Sequence, residues 1–192
     1  MRGIVGAGVI ALAAFLLCGL SFGREVFELE VPLKDFARIS HQGEERLLLK
    51  VDLSRLPDDV VIHSAKLMVP VGEMRWKEGK FLAFAFPLRS DWDAGGVSWT
   101  STGRGRVWEN SGGDYEYLRG VSSVVDAVKG GMAVFPVEEL LRDWVRGKER
   151  NHGILIKFER GDVSSKVASN ELKEGKEEPI LAISFEVLGD RQ

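Results

Sequence analysis

The 192-residue sequence has a single cysteine, Cys18, so no disulfide can close within the chain. Its fold must rest on an apolar core, and a domain of this size buries roughly two-thirds of its unfolded surface. Histidine is scarce as well. His41, His63 and His152 lie in unrelated segments, and there is no His-x-x-x-His, Gly-x-Ser-x-Gly or Cys-rich metal spacing. Zinc hydrolysis and serine-nucleophile chemistry thus have no local signature. Basic blocks are missing too. Formal net charge is −3, and Lys and Arg are scattered along the chain. A nucleic-acid partner is not expected, because phosphate contact needs a basic face. No internal repeat is present.

Long apolar runs occur in one place only. Met1-Arg2 gives a short positive start, Ile4 to Leu17 is almost wholly apolar, and Ser21 and Gly23 put small residues before Arg24. This is the three-part pattern of a secretory signal over residues 1–23, with the mature domain at 24–192. The same run also fits an uncleaved membrane anchor, or a lipid attachment at Cys18 with bulky Leu17 before it. The expected location is secreted or cell-surface, periplasmic where the source has an outer membrane. Membrane contact is expected only if the N-terminal segment is retained.

Beyond it, short alternating segments predict strands at 25–31, 35–40, 46–52, 60–71, 81–88, 153–158 and 180–187, with turns at 56–59 and 173–178. Phe81 to Leu88 is apolar on both faces, which suits a buried central strand. Val137, Leu140, Leu141, Trp144 and Val145 form a helical stripe, with Pro136 suited to the first turn and Gly147 to the end. The expected fold is an all-β, antiparallel, jelly-roll-like sandwich with one short amphipathic helix.

Asp91 to Tyr117 is the unusual stretch, holding six glycines together with Trp92, Trp99, Trp108, Tyr115 and Tyr117. So long a loop in a compact domain needs a function or contacts of its own. Trp92 and Trp99 are expected to pin it inward. Trp76, Trp108 and Tyr115 are expected outside, where flat rings can stack on sugars. Asp91, Asp93, Asp114 and Glu116 offer oxygen ligands for calcium, or else turn caps.

Several ordered pieces resemble one family. Leu47-Leu48-Leu49-Lys50-Val51-Asp52-Leu53 with Leu56-Pro57 is followed by Val61-Ile62-His63-Ser64-Ala65-Lys66-Leu67. Next come Trp92-Asp93 with Val97-Ser98-Trp99, and Trp108 through Gly112-Gly113-Asp114-Tyr115. The helix segment 137–145, Asn151-His152-Gly153-Ile154-Leu155-Ile156, Ser169-Asn170-Glu171 and Pro179-Ile180-Leu181 complete the series. In this order they resemble the DNRLRE domain, a family of extracellular β-sandwich domains related to carbohydrate-binding modules and disaggregatase repeats. His152 stands where the family has Tyr, and Glu177-Glu178 where it has a basic residue before the proline. The resemblance implies a non-catalytic module that binds carbohydrate or cell-envelope components. A structural or adhesive surface subunit is the second reading. A polysaccharide-active enzyme is the third, since twenty-nine acidic residues make a catalytic carboxylate pair formally possible.

Overall fold

The computed structural model describes residues 25–71, 80–126, 131–159 and 178–188. The signal segment with Cys18, Trp76, Ser169-Asn170-Glu171 and most of the 173–178 turn lie outside the described residues. The strands are β1 (Val26–Pro32), β2 (Phe36–His41), β3 (Glu44–Leu49), β4 (Val60–Val71), β5 (Lys80–Pro87), β6 (Ser101–Gly103), β7 (Arg106–Val107), β8 (Val121–Asp126), β9 (Gly131–Pro136), β10 (Ile154–Glu159) and β11 (Ile180–Val187). One helix, α1 (Glu138–Val145), lies between β9 and β10.

Two antiparallel sheets face each other, in the orders β1-β11-β4-β9 and β2-β3-β10-β5-β8. With β2 set aside as a hairpin partner of β3, the eight remaining main strands run first-eighth-third-sixth and second-seventh-fourth-fifth, the jelly-roll order. Between the sheets, Leu47, Leu49, Ile154 and Ile156 meet Leu67, Phe135, Leu181 and Ile183, all buried. On one side the sandwich is drawn shut at its edges, where Val134 donates its backbone N–H to Ser123 Oγ at 3.0 Å.

Strands β8 and β9 were not foreseen from the sequence. Both are edge strands with one wet face, so among the described side chains only Val125 on β8 and Ala133 and Phe135 on β9 are buried. Such alternation is short, in β8 also mixed with serine, and it carries little signal. Pro136 ends β9 rather than entering the first helical turn, and Val137 takes the cap position, its carbonyl accepting Leu141 N–H at 3.0 Å.

The helix follows from where β9 stops. β9 pairs with β4 only from Lys66 to Val71, so the carbonyls nearer the start of β4 need other partners. Arg142 supplies them, with Nε donating to Ile62 O at 2.9 Å and Nη2 to His63 O at 3.1 Å. Gly147, at φ +66°, then closes the helix, and Lys148 N–H returns to Asp143 O at 3.0 Å.

Glu45 on β3 places a largely covered carboxylate on the core-facing side of its sheet. Glu45 Oε1 has no hydrogen-bond partner among the described residues, and its side chain is 11% exposed with Arg38 Nε 3.9 Å away. Burial raises the Glu45 carboxyl above its usual range, and Arg38 offsets this only in part. A carboxyl raised on folding contributes stability below its unfolded pKa and loses it as pH rises through the folded value. Glu45→Gln cannot ionise. Chemical denaturation is therefore expected to find it equal to wild type near about pH 4 and the more stable of the two at about pH 7. A variant weaker at neutral pH would mean that Arg38 holds the ionised group.

Candidate functional site

The five-stranded sheet is apolar on its outer face as well. Ala37, Leu48, Leu155 and Phe86 form one transverse row across β2, β3, β10 and β5, pointing away from the sandwich core. Ile39 and Leu88 extend that surface. Left in water it would cost about 25 cal/mol for each Å². The 91–117 excursion covers it, as an ordered segment that contains the small β6–β7 ribbon.

Trp92 and Trp108 are the cover. Trp92 is buried, and its Nε1 donates to His152 O at 3.0 Å. Trp108, expected outside, is only 5% exposed, and its Nε1 donates to Ser98 O at 2.9 Å. Tyr115, also expected outside, is half-buried against Phe86 at a ring separation of 4.8 Å. Both corrections have one cause, the apolar row beneath them. Trp99, expected inward, is half-buried and flanks a buried guanidinium. Arg46 lies 4.6 Å from the Trp99 ring centre and 5.5 Å from that of Tyr115, and donates to Gly112 O at 2.7 Å. A charge taken from water in this way needs such partners.

Three of the four candidate calcium ligands are already hydrogen-bonded. Asp114 is 3% exposed; its Oδ1 accepts Asn110 N–H at 2.7 Å, and its Oδ2 accepts Glu109 N–H at 3.0 Å and the Ser90 hydroxyl at 3.1 Å. Asp91 faces Lys50 Nζ at 2.5 Å, and that bond holds its carboxyl below the usual range. Arg104 does the same for Asp93 from 2.7 Å, while Gly95 N–H caps the other oxygen. Glu116 lies 3.9 Å from Arg89. Among the described residues no group of three or more acids, His or Cys is placed to hold a metal ion.

The outward surface lies just beyond the candidates. Tyr117–Arg119 forms a 3-10 turn with Tyr117 68% and Leu118 89% exposed. The Tyr117 ring is stacked on Phe86 at 5.8 Å and 17°, leaving its other face to solvent. Gly120 lets the turn sit this close, since a Cβ there would fall 2.2 Å from the Phe86 ring. Arg119 ties the turn to Asp143 at 2.7 Å and to Glu149. A depression of about 300 Å³ adjoins Leu118 and Arg119 on the α1 side. A second, of about 250 Å³, is lined by Pro87, Leu88, Arg89, Glu116, Glu149, Arg150 and His152. Burial lowers the His152 pKa from its usual value, with Arg150 and Lys50 adding to the effect and Asp91 opposing it.

The scan against protein-family models and the search of curated proteins both returned no match. The surface therefore has to be read from its own residues. Of the candidate binding and metal residues, Glu116 alone lines the cleft among the described residues. Arg89, Glu149 and Arg150 were missed, and His152 was seen only as an isolated histidine, because turns far apart in the chain bring them together.

Proposed function

We propose that this protein is an exported, non-catalytic sandwich module that binds polysaccharide through Tyr117 and the cleft beginning at Glu116. The observation that carries this reading is the Tyr117 ring, held by Phe86 on one side and open on the other. A pyranose presents polarised C–H groups to such a face, and the cleft's guanidinium, carboxylate and imidazole groups suit ring hydroxyls. The resemblance to DNRLRE domains points the same way. Export with cleavage before Arg24 belongs to the proposal, and N-terminal sequencing reads it directly.

Affinity electrophoresis of the purified protein through gels containing soluble polysaccharides tests the reading. Retardation by at least one polymer is expected, persisting in the presence of a calcium chelator. No retardation by any polymer would count against it. The adhesive-subunit reading draws on a different feature. Among the described residues β1 pairs with β11 on one side only, and Val26 and Phe27 near its start are exposed. An open edge of this kind can accept another strand. Mass that rises with protein concentration, without polysaccharide retardation, would favour that alternative.

A further inference from the structure

The charges of the cleft are unevenly matched. Glu149 is taken by Arg119, which comes from outside the cleft. Arg89 and Glu116 face each other at 3.9 Å, beyond hydrogen-bond length, and both are about half exposed. Arg150 is exposed and makes no hydrogen bond or ion pair among the described residues. Burial lowers the His152 pKa and so disfavours a charged imidazole there. One guanidinium is thus left over in a depression lined by Glu116, the residue that precedes Tyr117 in the chain. A planar carboxylate is the group such a fork binds with two parallel hydrogen bonds.

We propose that the cleft selects acidic polysaccharides, those built with uronate sugars, with Arg150 receiving the sugar carboxylate and Arg89 beside it. This rests on the polysaccharide-binding reading above. The overall charge of −3 gives no general attraction for polyanions, so any preference has to come from a local site.

The test uses polygalacturonate, alginate and glucuronoxylan, each beside its carboxyl-reduced counterpart, with dextran sulfate as a plain polyanion. Retardation by at least one acidic polymer is expected, weakened about tenfold when that polymer is reduced, and about tenfold again in Arg150→Ala on the acidic form. The melting temperature of Arg150→Ala should equal that of wild type. Equal retardation by acidic and reduced polymers would overturn the uronate preference and leave the stacking reading in place. Equal retardation by dextran sulfate, or unchanged retardation of Arg150→Ala, would overturn it as well. Retardation by none of the polymers, neutral or acidic, would remove both readings together.

Discussion

Trp108→Ala is expected to lower the stability of the domain by about 3–5 kcal/mol, the range for truncating a buried large aromatic. The ring is 5% exposed and covers Leu48, Leu155 and Phe86 on the outer face of the five-stranded sheet together with Trp92. Truncation leaves a void over that row and strips Ser98 O of its donor. The void cannot close easily, because Asp114 braces the same loop through three hydrogen bonds to Ser90, Glu109 and Asn110. Equilibrium urea unfolding measures the effect. A loss below about 0.5 kcal/mol, the size of an ordinary surface substitution, would put the ring in solvent and restore it as a candidate for ligand contact.

Trp144→Ala is expected to cost a similar amount, about 3–5 kcal/mol, by a different route. Trp144 lies on the buried face of α1 with Leu140 and Leu141, and the helix continues along β4 where β9 ends. Loosening the helix also threatens the Arg142 bonds to the Ile62 and His63 carbonyls, which would then face a partly apolar surface unpaired. A loss under about 1 kcal/mol would mean that the helix presents another face to the sheet. The two tryptophans sit in separate apolar clusters, so their effects should add in the double variant within about 0.5 kcal/mol.

The sandwich was legible where alternation is long. Val60–Val71 and Ile180–Val187 read directly as strands because every second residue from Ala65 to Val71 and from Leu181 to Phe185 meets the opposite sheet. The helix was legible because its stripe recurs at a spacing no strand can use. The loop was only half legible. Glu109 and Asn110 beside Trp108 suggested exposure, yet their N–H groups cap the buried Asp114 and turn that flank inward. A clue lay elsewhere in the chain. Leu47-Leu48-Leu49 and Ile154-Leu155-Ile156 break alternation, so both faces of their sheet are apolar and something must cover the outer one. The loop aromatics are that cover. The cleft could not be read at all, since Arg89, Glu116 and Arg150 come from three separate turns, and no local pattern records that they meet.

The loop thus divides its aromatics, with Trp92 and Trp108 holding the fold and Tyr117 facing out. The most direct test of that division is Tyr117→Ala, with melting temperature and polysaccharide retardation recorded on one preparation. The account predicts a melting temperature within a few degrees of wild type, retardation reduced about tenfold or more, and partial recovery in Tyr117→Phe, which keeps the stacking face. Retardation that survives the loss of the ring, with the fold intact, would contradict it.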